Sequence, residues 1–203
     1  MRFADIGLSD ELLRALSEAG YDEPTPIQAA AIPQVQMMRD IIAIAQTGTG
    51  KTAAFTLPIL HRLMPAANSS ASPARHPVRA LILTPTRELA MQVTEAVDKY
   101  CKFSRHMRTG TVLGGMPYPK QRRLLEQSLD VLVATPGRLI DFIDQGKVDF
   151  SRLELLILDE ADRMLDMGFM PDIRRILALL PAKRQSLLFS ATFSEEIKRL
   201  ADN

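Results

Sequence analysis

A glycine-rich segment containing one lysine is the first stretch of the sequence whose residue types could do chemistry. An apolar run at residues 41–45 leads through this segment into a predicted helix. Glycines there let successive backbone N–H groups turn towards one point at a helix N-terminus, which makes a concave site for anions. Lys51 can reach the outer phosphates of a nucleotide, and the Thr52 hydroxyl can hold Mg²⁺. The predicted phosphate-binding loop comprises Ala45, Gln46, Thr47, Gly48, Thr49, Gly50, Lys51 and Thr52, with Ala45 where the stricter pattern has glycine.

Two adjacent carboxylates follow another apolar run, at residues 155–158. The carboxyl ends of strands in an open α/β sheet face the crevice where ligands bind. Asp159 is therefore placed to hold Mg²⁺ through water, and Glu160 to orient or deprotonate an attacking water. Taken alone, the pair could be a solvated acidic turn. Together with the phosphate loop it predicts a nucleoside triphosphatase whose catalytic groups are Lys51, Asp159 and Glu160.

The elements that must position these groups alternate between strands and helices. Short runs rich in branched residues predict strands buried on both faces at residues 41–45, 79–83, 111–113, 131–134, 155–158 and 186–189. Helical patterns cover residues 9–20, 87–102, 117–127, 138–144, 172–179 and 194–200, and residues 65–77 predict a surface loop. Such alternation implies right-handed βαβ units. The predicted fold class is α/β, with a mainly parallel sheet and helices on both faces.

Composition limits the kind of protein this can be. The chain has 203 residues, of which 46% are hydrophobic, enough for one substantial core. Cys101 is the only cysteine, so an internal disulfide is impossible and a reducing compartment is expected. No apolar run reaches the roughly 18 residues of a membrane helix, and the N-terminus does not resemble a signal peptide. These features predict a soluble, cytoplasmic protein.

The charge of the chain gives little sign of a nucleic-acid partner. The net charge is +1, so the chain as a whole does not attract phosphate backbones. A basic cluster at residues 120–123 could do so locally, although a solvated helix face explains it more simply. Three scattered histidines have no cysteine partners at metal-ligand spacing, so a structural zinc site is not expected.

The order of motifs resembles the N-terminal RecA-like domain of DEAD-box RNA helicases over the whole chain. Residues 20–28 match the Q motif of that family, with Phe3 upstream where the family keeps an aromatic residue. The later motifs match in order at residues 85–90, 114–115, 135–138, 159–162 and 190–192, in a style similar to bacterial RhlE-type members. The resemblance implies a RecA-like P-loop fold. Residues 1–30 would form an N-terminal helix and the Q motif, and residues 31–203 the ATP-binding domain.

The resemblance also implies how a nucleotide is held. Thr25 and Gln28 belong to the Q motif, and the Gln28 amide would donate to and accept from the adenine edge. Phe3 and Tyr21 could offer flat apolar surface beside the base, or be ordinary packing residues. The implied ligand is ATP with Mg²⁺, and ADP or AMP could occupy the same site.

RNA is the second implied ligand. Family contacts go to phosphates and sugars through hydroxyls, backbone N–H groups and guanidinium forks. The matching residues are Thr86, Arg87, Gly115, Thr135, Gly137 and Arg138. Because their motifs follow predicted strands, we expect them along one edge of the sheet. Without the family, Thr-Pro-Thr and Thr-Pro-Gly are simply helix caps.

Ser190 and Thr192 follow a predicted strand and are expected to hydrogen-bond towards Asp162, which would join nucleotide state to sheet geometry. A cap for the last helix is the other interpretation. The sequence shows no second RecA-like half after these residues. In the family that half supplies arginines for the γ-phosphate and the other wall of the RNA cleft. We therefore expect this chain to be monomeric, to bind nucleotide, and not to act as a competent helicase alone.

Two further interpretations remain open from the sequence. One is a nucleotide-binding switch without catalysis, against which the intact Asp159-Glu160 pair argues. The other is a different phosphate-loop enzyme, such as a GTPase or a transporter ATPase. The chain shows neither an Asn-Lys-x-Asp guanine reader nor a Leu-Ser-Gly-Gly-Gln signature, which argues against this one.

Overall fold

The structure, a computed structural model, describes residues 1–46, 50–66, 78–104, 107–127 and 129–202. Within these ranges one six-stranded sheet has the order β1-β6-β5-β2-β4-β3, and all neighbouring strands are parallel. The strands are β1 (Ile41–Ile44), β2 (Ala80–Leu83), β3 (Thr109–Val112), β4 (Val131–Ala134), β5 (Leu155–Leu158) and β6 (Gln185–Ser190). The predicted α/β class with a parallel sheet is confirmed. Residues 67–77 of the predicted surface loop lie outside the described ranges.

Helices connect the strands and cover the sheet. They are α1 (Asp10–Glu18), α2 (Pro26–Gln36), α3 (Lys51–Leu63), α4 (Arg87–Tyr100), α5 (Tyr118–Leu125), α6 (Pro136–Asp144), α7 (Ala161–Asp166), α8 (Met170–Ala178) and α9 (Glu195–Ala201), with short 3₁₀ helices at Phe3–Ile6 and Met64–Ala66. The sequence did not predict α2 or α7. The sequence did not indicate α2 because it contains Pro33, and proline usually interrupts a helix. Among the described residues, no helix has the length and apolar character needed to cross a membrane.

Two apolar clusters lie on opposite faces of the sheet. Successive side chains of β2 point to opposite faces of the sheet. Ile82 accordingly belongs to one cluster, and Leu81 and Leu83 belong to the other. The first cluster also takes in Phe3 of the N-terminal segment. Residue 30, the predicted boundary between the Q-motif segment and the ATP-binding domain, lies inside α2.

The prediction that every strand is buried on both faces is wrong for β1. Ile42 is 44% exposed and Ile44 is 49% exposed. The cause is position: among the described residues, β1 is an edge strand that pairs with β6 alone. The central strands β2, β4 and β5 are buried throughout, as parallel strands covered by helices should be.

The strand order divides the carboxyl edge of the sheet into two halves. The ends of β1, β6 and β5 lie side by side and lead into the phosphate loop, residues 190–192 and the Asp159-Glu160 pair. The ends of β2, β4 and β3 lead into the three segments predicted to meet RNA. We call these the nucleotide half and the RNA half.

Candidate active site

The phosphate loop contains a glycine that no other residue could replace without strain. Gly50 is the N-cap of α3 and has a φ of 82°. A Cβ atom at this position would lie 2.6 Å from Gln28 Nε2 and 2.9 Å from Thr25 Oγ1. Both the backbone conformation and the space therefore require glycine. Ala45 continues the β1–β6 pairing by donating its N–H to the Ser190 carbonyl at 2.9 Å.

Three predicted loop residues, Thr47, Gly48 and Thr49, lie outside the described residues. Of the others, Gln46 is exposed, and Lys51 and Thr52 form the first turn of α3. β1 precedes these three residues and α3 follows them, in the strand-then-helix order that the sequence predicted.

Gln28 joins the Q-motif segment to the phosphate loop. Its Nε2 donates to the Gly50 carbonyl at 3.0 Å, and its Oε1 accepts from the Thr25 N–H at 3.0 Å. The Thr25 hydroxyl in turn accepts from the Gln28 N–H, which completes a capping box at the start of α2. A side-chain amide has two donors and two lone pairs, so one N–H and one lone pair of Gln28 have no partner among the described residues.

Lys51 is held between the two predicted catalytic carboxylates. Its Nζ lies 2.9 Å from Asp159 Oδ1 and 2.9 Å from Glu160 Oε2. Lys51 and Asp159 are both buried. Desolvation raises the pKa of Asp159 above its usual value, and the Lys51 charge only partly opposes that shift. The sheet order thus brings Lys51 to two adjacent carboxylates that lie more than 100 residues further along the chain.

Glu160 carries backbone strain. It is the N-cap of α7 in a left-handed conformation, with φ 51° and ψ 53°. Non-glycine residues held in this region cost of order 1–3 kcal/mol and cluster at functional sites. Arg163 Nη1 lies 3.7 Å from its second carboxylate oxygen. The strained turn directs the Glu160 carboxylate back over the start of α3, where Lys51 lies.

One oxygen in the site lacks a partner. Asp159 Oδ2 is buried and has no hydrogen-bond partner among the described residues. Leaving a buried acceptor unpaired costs about 1–3 kcal/mol, more for a charged group. A water bound to Mg²⁺ would supply the missing donor, and Thr52, half-buried next to Lys51 in the first turn of α3, carries a hydroxyl of the kind that binds Mg²⁺. The residues present fit a magnesium ion.

A cavity of about 470 Å³ adjoins these groups. Its size is that of a small-molecule pocket. Predicted nucleotide contacts in its lining are Phe3, Tyr21, Thr25, Gln28, Gly50, Lys51 and Thr52. Phe3 is only 4% exposed and belongs to the core, as the packing interpretation predicted, and its role beside the base stays a prediction. Tyr21 is 48% exposed, and Lys99 Nζ lies 4.5 Å from the centre of its ring.

In the RNA half, two exposed groups from different loops approach each other. Arg87 is exposed and has no hydrogen bond or ion pair within the described parts of the chain. Gly115 has a φ of 79°, and a Cβ there would lie 3.4 Å from Arg87 Nη1. The sequence predicted that these residues share one edge of the sheet, and they do.

The threonines of this half differ. The Thr86 side chain caps α4 by accepting from the Leu89 N–H at 3.2 Å. Thr135 precedes α6 but its side chain makes no capping hydrogen bond, and it is 9% exposed. Gly137 lies in the first turn of α6, and a Cβ there would meet nothing within 4 Å. Both threonines stand at helix N-termini as predicted, although only Thr86 acts as a cap.

Arg138 does not face outward as a phosphate fork should. Its side chain is 8% exposed, and its Nη1 donates to the Met116 carbonyl at 2.6 Å and to Gln121 Oε1 at 2.9 Å. The predicted contact of this guanidinium with RNA stays a prediction, and the structure shows that its Nη1 is already bonded inside the protein. Gln121 could not be recognised as its partner from the sequence, since that residue lies within the basic cluster at residues 120–123.

The predicted bond from residues 190–192 to Asp162 is absent among the described residues. Ser190 Oγ instead accepts from the Thr192 N–H at 3.3 Å, and Ser190 is buried. The alternative, a cap for the last helix, falls to Ser194, whose oxygen accepts from the Ile197 N–H. Ser190 lies at the end of β6, between the phosphate loop and Asp159 in strand order.

The known proteins whose sequences are similar to this chain belong to one group. A family described as DEAD/DEAH box helicase matches residues 25–200. The chain is 47% identical over 202 residues to the DEAD-box ATP-dependent RNA helicase RhpA of Helicobacter pylori, covering 98% of this chain and 39% of that protein. It is 46% identical over 198 residues to the ATP-dependent RNA helicase DeaD of Escherichia coli, covering 98% of this chain and 30% of that protein.

A plant protein shows the same level of similarity. The DEAD-box ATP-dependent RNA helicase 52A of Oryza sativa is 46% identical over 213 residues, covering 99% of this chain and 35% of that protein. The chain therefore spans 30–39% of the length of these relatives.

Proposed function

This chain belongs to the DEAD/DEAH box helicase family, and we propose from that premise that it is the ATP-binding RecA-like domain of an ATP-dependent RNA helicase. The observation that carries the proposal is the group of Lys51, Asp159 and Glu160 beside a cavity that extends to Gln28. These residues supply a cation for phosphates, a carboxylate for a metal and a base for water. Membership of this family excludes the GTPase and transporter interpretations.

Binding of ATP would exchange the partners of Lys51. Its ammonium would move from two carboxylates to the β- and γ-phosphates, which carry more charge and lie at a helix N-terminus. That exchange frees Glu160 to accept a proton from an attacking water. When bound, Mg²⁺ would neutralise phosphate charge, held by Thr52 and, through water, by Asp159. Hydrolysis then depends on closing this site against bulk water.

RNA would bind along the RNA half, through the sugar-phosphate backbone. Arg87 supplies the exposed cation, Gly115 a close approach of the backbone, and Thr86 a hydroxyl. A second RecA-like domain would complete the cleft and bring arginines to the γ-phosphate, so that ATP binding and hydrolysis drive local opening of a duplex. We further propose that the chain is monomeric and acts in the cytoplasm.

Base choice offers a direct test of the nucleotide site. Gln28 should read the adenine edge, so ADP should bind this chain about tenfold or more tightly than GDP, since a mismatched edge leaves polar groups unpaired. Calorimetric titration with both nucleotides measures the difference. Gln28→Ala should erase the preference, whereas Gln36→Ala, on the same helix but outside the cavity lining, should keep it. Equal binding of GDP and ADP by the unchanged chain would contradict the assignment.

Turnover tests the enzymatic part of the proposal. ATP hydrolysis should be weak in residues 1–203 and should rise with RNA only when this domain is joined to a second RecA-like domain. Arginines supplied in this way contribute about 10³–10⁵ in rate in other NTPases. RNA-stimulated hydrolysis by this chain alone would show that it carries a catalytic arginine of its own. A protein with both domains that binds but never hydrolyses ATP would instead be a nucleotide switch.

A further inference from the structure

Arg138 lies inside a small polar cluster that joins two loops of the RNA half. The residue is in the first turn of α6, three positions after the N-cap Thr135. Its Nη1 donates to the Met116 carbonyl at 2.6 Å and to Gln121 Oε1 at 2.9 Å. Met116 belongs to the loop that follows β3 and contains Gly115. One guanidinium nitrogen of α6 therefore holds the neighbouring loop.

Gln121 extends this connection to the other end of the same loop. It is only 4% exposed, and its Nε2 donates to the Leu113 carbonyl at 3.1 Å. The side-chain amide thus bridges Leu113 and Arg138. Both ends of the Gly114-Gly115 turn, at Leu113 and Met116, are tied to Arg138 directly or through one amide.

An aromatic ring and a carboxylate fix the plane of the guanidinium. Arg138 Cζ lies 3.9 Å from the centre of the Tyr118 ring, within the range of cation–π contacts. The Tyr118 hydroxyl hydrogen-bonds Asp141 Oδ2 at 2.6 Å, and Arg138 Nε lies 4.0 Å from the same oxygen. Stacking and ion pairing restrict the rotation of a side chain that would otherwise be flexible.

We propose that Arg138 is a positioning residue whose clasp with Gln121, Tyr118 and Met116 holds the Gly114-Gly115 turn at a fixed place beside Arg87, so that the two loops present RNA contacts as one preformed surface. The proposal rests on the function proposed above, since it concerns how that RNA surface is built. It differs from a direct phosphate contact in one respect. Arg138 would act through Gly115 and not touch RNA itself.

The burial of Arg138 and the two bonds of its Nη1 support positioning over direct contact, although Nη1 carries only two of the five guanidinium hydrogens. Nη1 carries two hydrogens, and the structure gives both an acceptor inside the protein. The side chain is 8% exposed, whereas Arg87 is exposed and has no partner among the described residues. Turning Arg138 outward would break two hydrogen bonds and its stacking on Tyr118. Arg87 needs no such change to meet a phosphate.

The first test needs no RNA. In the free protein, ¹⁵N relaxation at the Gly114 and Gly115 amides should give order parameters near the value of about 0.85 typical of rigid backbone, and Arg138→Ala should lower them below about 0.6. Arg138→Lys should behave in the same way, because lysine keeps the charge but lacks the planar fork. Arg123→Ala, an exposed arginine on α5 next to the clasp, is the matched control and should leave both values unchanged. A turn that stays rigid in Arg138→Ala overturns the proposal.

The second test separates positioning from contact by salt dependence. A phosphate contact contributes about one to the slope of log affinity against log salt, somewhat less for single strands. Arg87→Ala should therefore lower the slope for a short single-stranded RNA of mixed sequence. Arg138→Ala should weaken binding by about tenfold, the loss expected for one or two hydrogen bonds to a charged group, and leave the slope unchanged. A slope that falls equally in both variants would make Arg138 a direct contact.

Gln121→Met is an independent test of the proposal, because it breaks the hydrogen bond to the Leu113 carbonyl without removing a charge. It should weaken RNA binding at constant slope, and combining it with Arg138→Ala should add little, since both variants disable one unit. Full additivity would count against the clasp. If the unchanged protein binds no RNA, the proposed function fails, while the relaxation test still decides whether Arg138 holds the turn.

Discussion

The nucleotide half of the sheet edge carries charges that are paired with one another, whereas the RNA half carries groups that already face outward. Lys51 is shared between Asp159 and Glu160, and the Gln28 amide is bonded to the phosphate loop. In the RNA half, Arg87 is exposed and Gly115 lies open beside it. The arginine of the RNA half that is hydrogen-bonded inside the protein is Arg138, whose side chain is largely buried.

This difference separates two ways of preparing a site. A ligand of the nucleotide half must replace existing ion pairs, so part of its binding free energy is spent on opening them. A ligand of the RNA half meets a surface that has already been ordered, and gains affinity from that preorganisation. The nucleotide half is therefore suited to change with its ligand, and the RNA half to present a fixed set of backbone contacts.

The largest effect is expected for Glu160→Gln. Losing a general base costs about 10²–10⁴ in rate, so RNA-dependent ATP hydrolysis should fall by that factor in a protein that carries both RecA-like domains. ADP affinity should rise slightly, because Lys51 then has one carboxylate fewer to leave. Phosphate release and calorimetry measure the two quantities. Arg163→Ala, which removes only a long ion pair to Glu160, is the control. A loss in rate below tenfold would remove Glu160 from the catalytic groups.

Lys51→Ala should have the next largest effect. It removes the charge that would move from the carboxylates to the phosphates, so ADP and ATP should lose about 2–3 kcal/mol of binding free energy, in the range of charged hydrogen bonds. AMP should lose much less, because its phosphate lies nearer the ribose. Lys198→Ala, an exposed lysine paired within α9, serves as the control in the same titrations. Equal losses for AMP and ADP would show that Lys51 does not reach the outer phosphates.

Two glycines with nearly the same backbone conformation sharpen the comparison. Gly50 has a φ of 82° and Gly168 a φ of 83°, but a Cβ would be crowded by Gln28 and Thr25 only at Gly50. Each change to alanine should lower the free energy of unfolding by about 1–2 kcal/mol from the left-handed backbone alone. Gly50→Ala should also weaken ADP binding by at least about tenfold, since the clash displaces hydrogen-bonded groups of the site. Thermal unfolding and calorimetry measure the two effects. Identical ADP affinities would mean that the Gln28 bond to the loop is irrelevant to the ligand.

What the sequence could predict follows from which features are local. Thr86, Gly115 and Thr135 each lie within three residues of the end of a strand, and parallel strands bring their carboxyl ends to one edge. The joint placement of Lys51 and Asp159 follows from the same rule. Their ion pair could not be predicted, because it depends on the distance between two loops separated by β6.

What the sequence could not show has the same origin. An apolar run cannot show whether its strand lies in the centre or at the edge of a sheet, so β1 was expected to be buried. A guanidinium in a recognised motif cannot show which way it turns, and Arg138 turns towards Gln121. The base-reading role of Gln28 stays a prediction, since its amide is only partly occupied by protein partners.

The smallest effect concerns Thr86, for which the sequence left both a helix cap and an RNA contact open. Its oxygen accepts from the Leu89 N–H at 3.2 Å, and the Ser194 oxygen makes the equivalent bond to Ile197 at 3.3 Å. Thr86→Ala and Ser194→Ala should each lower the free energy of unfolding by about 1 kcal/mol, the usual value of a capping side chain.

Only Thr86 lies in the RNA half, and its hydroxyl hydrogen remains free to donate to a phosphate while the oxygen caps α4. Thr86→Ala should therefore also weaken RNA binding by about fivefold to tenfold, the value of one hydrogen bond, without changing the salt slope, because no charge is lost. Thr86→Ser, which keeps a hydroxyl, should leave both the free energy of unfolding and the RNA affinity unchanged. If Thr86→Ala and Ser194→Ala differ in neither property, Thr86 is a helix cap alone. The preformed surface then narrows to Arg87, the Gly115 turn and the segment that leads into α6.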